Sequence, residues 1–151
     1  MNLTRRQALS LSAGMAAIAV AGLDATAAFA DAAMADKAMM EFTGGKKPES
    51  GKISLNTPEI AENGNTVPVS VQVDSPMTDK DYVQSVMLLA DGNPNPGVVT
   101  FHFTPMSGAA AASTRMRLAK TQNVVAIAKM SNGSVYMDKK QVKVTIGGCG
   151  G

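Results

Sequence analysis

The residue in this sequence best suited to covalent chemistry is its one cysteine, Cys149. Two glycines precede it and two follow it, in a run that ends the sequence: Gly147, Gly148, Gly150 and Gly151. Glycine has no Cβ and loses much backbone entropy when it is fixed, so such a run is a poor packing element. The pattern predicts a thin, flexible arm that carries a thiol away from the folded domain.

The surroundings of Cys149 indicate a passive thiol. Residues 146–151 include no histidine and no lysine, the side chains that lower the pKa of a thiol. An extended chain advances about 3.3 to 3.6 Å per residue, so five residues can carry the sulfur about 15 Å from the last strand. Only glycine surrounds the thiol, so a narrow channel in another protein can admit it. These features predict a carrier on which enzymes act, rather than a catalyst.

The amino terminus has the pattern of an export signal. Arg5 and Arg6 precede an apolar run, and Ala28 and Ala30 form a small-x-small cleavage site. The run is shorter than the roughly 20 residues that span a bilayer, which disfavours an uncleaved membrane anchor. The pattern predicts a Tat signal peptide over residues 1–30, cleavage after Ala30 and a periplasmic location.

Cleavage would leave 121 of the 151 residues, a length typical of one domain. The formal net charge of +2 would fall to about +1, which gives no indication of binding to nucleic acid or an anionic membrane. The thiol of a lone cysteine in an exported protein must be covalently modified, joined to another chain by a disulfide, or used in the function of the protein. We therefore predict a body over residues 31–146 and a sulfur-carrying arm over residues 147–151.

The spacing of apolar residues changes once along the body, from the period of a helix to the period of a β-strand. Residues 31–42 are good helix formers, with Ala35, Met39 and Phe42 along one stripe, and the glycines at 44 and 45 end the predicted helix. From residue 52 onward the period is two. Six or seven short strands after one helix, with turn signals about every ten residues, predict an all-β, immunoglobulin-like antiparallel β-sandwich.

Several details of this sandwich are open to test. Val67 to Val73 alternates as a half-buried strand, and Pro68 places that strand at an edge or makes it begin unpaired. Residues 82–90 are predicted to form a central strand, and Asn132 with Gly133 a type I′ hairpin. The last strand, over residues 141–146, is predicted to point Val142, Val144 and Ile146 inward before it continues into the arm.

Taken together, these stretches resemble the SoxY family, the sulfur-carrier subunit of the bacterial Sox thiosulfate-oxidising system. Residues 146–151 resemble the carboxy-terminal signature of the family, and residues 58–65, 67–69 and 73–77 fit it as well. The resemblance implies covalent attachment of sulfur at Cys149 and a swinging arm made by Gly147, Gly148, Gly150 and Gly151. It also implies a protein that is a substrate of enzymes, with no enzymatic activity and no cofactor of its own.

The resemblance further implies a set of partners. The chain is expected to form a heterodimer with a SoxZ-like subunit. The arm is expected to visit a haem cytochrome like SoxAX, a dimanganese hydrolase like SoxB and a sulfane dehydrogenase like SoxCD. Neither nucleic acid nor a membrane span is expected.

Other functions remain open at this stage. Cys149 is alternatively a leftover thiol, or one that joins two copies by a disulfide. An exported copper-binding sandwich would use His102 and Met106 as soft ligands, although methionines more often fill cores, as expected for Met34, Met39, Met116 and Met130. An adhesion-type sandwich would have no use for the arm. Ubiquitin-like sulfur carriers also end in Gly-Gly, but their activation needs ATP, which an exported protein would not meet.

A basic face on the predicted strands is a further candidate surface. It could guide an anionic sulfur compound or an acidic partner, although solvated strand faces ordinarily carry such residues. The residues are Arg115, Arg117, Lys139, Lys140 and Lys143.

Overall fold

Alternating apolar and polar residues from Ile53 onward form two β-sheets that pack face to face, and in the described part of the chain one α-helix precedes them. The structure, a computed structural model, describes residues 23–146. Contacts divide the chain into two units, residues 1–30 and residues 31–151, and the sheets belong to the second. The elements are α1 (Leu23–Thr43), β1 (Ile53–Asn56), β2 (Ile60–Ala61), β3 (Val67–Val73), β4 (Val83–Ala90), β5 (Gly97–His102), a 3-10 helix (Pro105–Ser107), β6 (Ala110–Met116), β7 (Gln122–Met130) and β8 (Val135–Val144).

The smaller sheet has the order β1–β3–β6, with both pairs antiparallel. The predicted alternation along β3 is confirmed, because its four valines are buried. The prediction of an edge strand is wrong, since β3 lies in the middle. Pairing with β1 stops at Ser70, however, so Pro68 has a neighbouring strand only on the β6 side. A residue without an N–H is tolerated where one side of the strand is unpaired.

The larger sheet has the order β2–β8–β7–β4–β5. β4 lies inside the sheet as predicted, and its almost continuous burial matches its apolar sequence. β8 has ten residues and begins at Val135, six residues before the start of the strand predicted over residues 141–146. β2 was not predicted, because two residues carry no periodicity. It pairs parallel with β8, and an isolated parallel bridge joins Glu49 to Tyr136, whereas the other strand pairs among the described residues are antiparallel as predicted.

The hairpin between β7 and β8 forms at the predicted Asn132 and Gly133, but its turn is of another type. A type I′ turn needs a positive φ at both central residues, and here only Gly133 has one, at 82°. Its N–H donates to Met130 O, and the N–H of Met130 donates to Ser134 O. This geometry is typical of a type I turn followed by a glycine bulge.

The core lies between the two sheets and is formed by their inward valines, leucines and alanines. Leu55 from the smaller sheet and Leu88 from the larger are fully buried, and burial of such a side chain contributes about 1.5–3 kcal/mol. Met116 and Met130 are buried here, as predicted. The core prediction for Met34 is wrong, since that side chain is 48% exposed. It precedes Ala35 on the helix, and a one-residue step turns it off the buried stripe.

Helix α1 covers part of the outer face of the larger sheet. The predicted stripe is confirmed: Ala35 is buried, and Met39 and Phe42 pack on a second apolar cluster. The sheet residues of that cluster are Leu89, Val125, Ile127 and Val135. The helix ends at the predicted glycines, which both have positive φ. It begins at Leu23, eight residues before the predicted start, because the alanine-rich stretch before residue 31 also favours a helix.

Two sheets packed around one core, preceded by a helix, confirm the predicted immunoglobulin-like sandwich. Among residues 23–146, no helix combines the length and the apolar character that crossing a bilayer requires.

Candidate functional site

The predicted site residues lie mostly beyond the described part of the chain. Cys149, Gly147, Gly148, Gly150 and Gly151 lie outside the described residues, as do Arg5 and Arg6. Of Ala28 and Ala30 only the helical backbone is described. The structure does describe the segment from which the predicted arm leaves, residues 143–146, which we call the root.

On its β2 side the root is fixed by backbone and side-chain hydrogen bonds. The N–H of Lys143 donates to Glu59 O at 2.9 Å, and the N–H of Thr145 donates to Ala61 O at 3.1 Å. The Thr145 hydroxyl donates to Glu62 O at 3.1 Å. The root is therefore paired for one residue beyond the end of β8.

On its other side the root is held by residues that precede β7. The N–H of Val144 donates to the Thr121 hydroxyl at 2.9 Å, so a side chain extends the ladder where β7 has not yet begun. Ile146 O accepts from Gly64 N at 2.9 Å, and Gly64 O accepts from Leu118 N at 2.8 Å. Gly64 thus links the last described residue to the loop between β6 and β7.

Ile146 does not point into the core as predicted, because its side chain is 69% exposed. β8 ends at Val144, and beyond it no opposing strand is present to bury the next inward position. The carbonyl of Ile146 is still hydrogen bonded, so hydrogen bonding to the body extends two residues beyond the end of the strand. Cys149 follows Ile146 by three residue steps, which span at most about 11 Å, less than the 15 Å expected from the sequence.

A buried polar network fixes the loops beside the root. The side chain of Gln122 is buried, and its Oε1 accepts from Gly92 N at 2.8 Å. Its Nε2 donates to Asn93 Oδ1 at 2.8 Å and to Lys120 O at 3.1 Å. Asn93 also donates to Arg117 O and accepts from Ala119 N. The network therefore holds residues 117–120, next to the root, against the loop that follows β4.

Sequence reasoning missed Gln122, Asn93, Thr121 and Gly64 as residues that position the site. Asn63 and Gly64 are residue types that favour turns, and the N–H of Asn65 does donate to Asn63 Oδ1 at 2.9 Å. No local pattern indicates that this turn meets Ile146. A hint exists for Gln122 alone, since an amide at the start of an apolar strand needs buried partners.

The predicted basic residues do not share one face of the sandwich. Arg115 belongs to β6 of the smaller sheet, whereas Lys139, Lys140 and Lys143 belong to β8 of the larger. Lys139 lies 3.9 Å from a carboxylate oxygen of Asp91. Arg115, Arg117 and Lys143 lie toward the end of the sandwich at which the described chain stops, whereas Lys139 pairs with Val125 midway along β8.

His102 is distant from the root. It pairs in register with Ser85 at the start of β4, whereas the root lies at the end of β8, beside the far end of β4. Met106 is 96% exposed in the loop after β5. Within residues 23–146, no group of three or more histidine, cysteine, aspartate or glutamate side chains is placed to hold a metal ion.

Comparison with known families decides the relationship of this chain. The family model described as "Sulfur oxidation protein SoxY" matches residues 39–149. The chain belongs to the SoxY family. The match includes Met39 on the helix stripe, both sheets and the root, and it ends on Cys149. The resemblance seen in the sequence is confirmed.

A solved SoxY structure agrees with this assignment. The sulfur carrier protein SoxY from Chlorobium limicola f thiosulfatophilum is 35% identical, with a TM-score of 0.62. The alignment covers 76% of this chain and 99% of that one. No curated protein sequence matches the chain.

Other solved structures share the fold of SoxY without a close sequence relationship. The superoxide reductase (neelaredoxin) from Ignicoccus hospitalis is 20% identical with a TM-score of 0.56, over 63% of this chain and 81% of that one. The hypothetical protein PH1083 from Pyrococcus horikoshii OT3 is 16% identical with a TM-score of 0.54, over 69% of this chain and 99% of that one. These similarities concern the sandwich alone.

Proposed function

We propose that this protein is a periplasmic sulfur carrier that holds thiosulfate-derived sulfur covalently on Cys149 and presents it to partner enzymes. The observation that carries the proposal is the extent of the SoxY match, which ends on the one cysteine of the chain. The fixed root supports it, because it leaves only two residues between a hydrogen-bonded carbonyl and that cysteine. The protein is then a substrate of enzymes rather than an enzyme.

Among the described residues, no histidine lies near the root to serve Cys149 as a general base. A thiol nucleophile is activated by an adjacent base or by a cation that stabilises the thiolate, and the base is oriented by a third group. The one histidine of the chain, His102, lies at the far end of β5 from the root. Each chemical step must therefore be supplied by the enzyme that the arm enters.

The proposed cycle balances with Cys149 as the only attachment point. Its thiolate joins the sulfane sulfur of thiosulfate, and the two electrons released pass to a haem cytochrome like SoxAX. Hydrolysis of the resulting S-thiosulfonate by a SoxB-like dimanganese enzyme consumes water and releases sulfate and protons, which leaves a persulfide. A SoxCD-like dehydrogenase oxidises the outer sulfur to a sulfonate with three waters, releasing six electrons. A second hydrolysis releases sulfate and regenerates the thiolate.

The arm fits this role by its size. Glycine adds no side chain at residues 147, 148, 150 and 151, so the widest group on the arm is the cysteine itself. With a reach of at most about 11 Å from Ile146, an enzyme must bring the mouth of its channel against the root end of the sandwich. A SoxZ-like subunit is the proposed permanent partner, and it must leave that end accessible.

Export by the Tat route fits a carrier that folds before it crosses the membrane. Arg5 and Arg6 would direct it, and cleavage after Ala30 would leave α1 beginning near Asp31. Determination of the amino terminus of the protein recovered from the periplasm tests this part. An intact Met1 on the periplasmic protein would contradict it.

Intact mass spectrometry tests the carrier role. We expect the protein from thiosulfate-grown cells to carry sulfur adducts that a reductant removes, and Cys149→Ser to lack them while folding normally. His102→Ala is the matched control and should be loaded like the native chain. Sulfur adducts on Cys149→Ser would refute the proposal. Copper retained by the native chain and lost from His102→Ala would favour the metal-binding alternative.

A further inference from the structure

One cross-strand row of the larger sheet carries three polar side chains in succession. Ser85 of β4 pairs in register with His102 of β5 on one side and with Lys129 of β7 on the other. Directly opposed residues of antiparallel strands point to the same face of a sheet, with Cβ atoms about 4.5–5.5 Å apart. The three side chains are therefore neighbours, with the short serine in the middle.

This row lies on the outer face of the sheet, away from the core between the two sheets. Side chains alternate along a strand, so Met87 and Leu89 share the face of Ser85, and both belong to the apolar cluster that α1 covers. Val135, the register partner of Lys129 on β8, belongs to that cluster too. The row therefore starts beside the helix and ends at the exposed His102 on the edge strand β5.

Ser85 is a buried residue whose hydroxyl has no partner. The residue is 7% exposed, and its side chain forms no hydrogen bond within residues 32–146. Buried polar atoms in folded proteins are almost always hydrogen bonded, so an unbonded hydroxyl here indicates a missing partner. In the described part of the chain, Asp81 Oδ1 is the one fully enclosed side-chain oxygen without a hydrogen bond. The Ser85 hydroxyl is thus still accessible to a ligand.

The two flanking side chains also have unused hydrogen-bonding capacity. Neither the Lys129 ammonium nor the His102 imidazole forms a hydrogen bond or an ion pair within residues 32–146, where the ion-paired lysines are Lys37 and Lys139. An ammonium has three N–H donors, and an imidazole has at least one. The row therefore presents hydrogen-bond donors from three strands to one point on the surface.

Lys129 determines the charge of the ligand that fits this row. A metal cation would be repelled by the ammonium, whereas an oxyanion would accept a charge-assisted hydrogen bond from it. The next row on the same face is formed by Thr100, Met87 and Ile127 and carries no charge. Asp81, the acidic residue nearest to the row in sequence, lies in the loop before β4 and has one carboxylate oxygen enclosed. No neighbour in the row neutralises Lys129.

The spacing of the strands limits the size of the ligand. Adjacent strands are about 4.8 Å apart, so the backbones of β5 and β7 lie about 10 Å apart on either side of β4. Two long side chains rise from these outer strands, and the short serine lies between them. A ligand that contacts all three side chains is therefore small, like sulfate.

We propose that Ser85, His102 and Lys129 form a binding site for a tetrahedral oxyanion. The Lys129 ammonium supplies the charge, the Ser85 hydroxyl donates from the floor of the site, and the His102 imidazole donates from the edge strand. Sulfate and inorganic phosphate share the chemistry that this site recognises. The site is distant from the root, so the attachment of sulfur at Cys149 does not depend on it.

Titrations of the purified protein followed by NMR test this site. Sodium sulfate and sodium phosphate are added separately, against sodium chloride at the same ionic strength, because salt alone screens surface charges. We expect saturable shifts of the amide resonances of Ser85, His102 and Lys129 with the oxyanions and not with chloride. The oxyanion with the lower dissociation constant is the one that the site selects. Absence of saturable shifts with both oxyanions overturns the proposal.

Two variants separate binding by this row from general attraction by net charge. Lys129→Met keeps most of the apolar stem and should weaken oxyanion binding on the order of tenfold. Lys140→Met is the matched control, because Lys140 is an exposed lysine that lines a cavity with Ser54 and Gln72 of the smaller sheet. We expect native affinity in this control. Equal weakening in the two variants, or native affinity in Lys129→Met, contradicts the site.

Ser85→Ala tests the missing partner of the hydroxyl. Without an oxyanion, removal of an unbonded hydroxyl should leave the free energy of unfolding unchanged or slightly higher. A lower value would show that the hydroxyl is already bonded in the folded protein, which refutes the proposal. Sulfate should stabilise the native chain more than Ser85→Ala or Lys129→Met, because binding adds to the general stabilising effect of sulfate on folded proteins. Equal stabilisation of all three proteins by sulfate would also refute it.

Discussion

Replacement of Gln122 by leucine tests the network that holds the loops beside the root. Gln122 is buried, and its amide makes three hydrogen bonds, to Gly92 N, Asn93 Oδ1 and Lys120 O. Leucine has a similar volume and no polar atom. The substitution therefore removes the hydrogen bonds with little change in packing, and it leaves the N–H of Gly92 without its acceptor.

The expected loss of stability depends on whether each former hydrogen-bond partner of Gln122 can bond to water instead. The bond to Gly92 is buried, and an unsatisfied buried donor costs about 1–3 kcal/mol. Asn93 and the Lys120 carbonyl lie closer to solvent and can bond to water, so their two bonds add about 1 kcal/mol together. The added apolar burial of leucine offsets about 1 kcal/mol. We expect a net loss of about 1–3 kcal/mol from the free energy of unfolding.

Urea unfolding of the purified protein measures this loss, with an unchanged dependence on denaturant concentration as the sign that the native state is intact. Gln141→Leu is the matched control, since Gln141 is exposed on β8 and should cost less than about 0.5 kcal/mol. Amide exchange of Ala119 and Gly92 should also accelerate in Gln122→Leu. Equal stability of the two variants would show that the network does not hold these loops, and our account of how the root is positioned would fail.

Three further predictions concern the root and the arm. Thr121→Val removes the hydroxyl that accepts from Val144 N, which costs about 1 kcal/mol. We therefore expect hydrogen exchange of the Gly64 and Thr145 amides to accelerate on the order of fivefold. Thr100→Val is the control, and equal exchange rates in the two variants would contradict this prediction. Gly92→Ala places a Cβ 2.9 Å from Gln122 Cβ and should lower the free energy of unfolding by about 1–3 kcal/mol in urea titrations, and a native-like value would exclude the close approach. Gly148→Val should leave the Cys149 thiol titratable by a small reagent and slow its turnover by partner enzymes, and normal turnover would rule out a narrow channel.

The parts of this fold that could be predicted from sequence are those with local causes. A strand with one buried face alternates with a period of two, so the inward valines of β3 could be identified without knowing what they pack against. Ala35, Met39 and Phe42 define the buried stripe of α1 by spacing alone. Loops rich in glycine, proline and asparagine marked the strand ends, because those residues favour turn conformations.

The parts that could not be predicted depend on contacts between distant residues. Asp138 and its basic neighbours interrupt the apolar pattern of β8, yet the strand continues, and Asp138 Oδ2 accepts from Leu55 N across the two sheets at 2.8 Å. Gln122 and Gly92 are 30 residues apart in sequence.

The short parallel strand β2 limits how this protein can enlarge its sheets. β2 occupies the outer edge of β8 at one end, and Glu49 bridges to Tyr136 at the other, so an incoming strand finds little free backbone between them. The neighbouring edge of β1 is blocked at Leu55, because the N–H of Leu55 already donates to the Asp138 carboxylate. Lateral growth, whether by a second subunit or by misassembly, is therefore directed to the opposite flank, where β5 and β6 end their sheets.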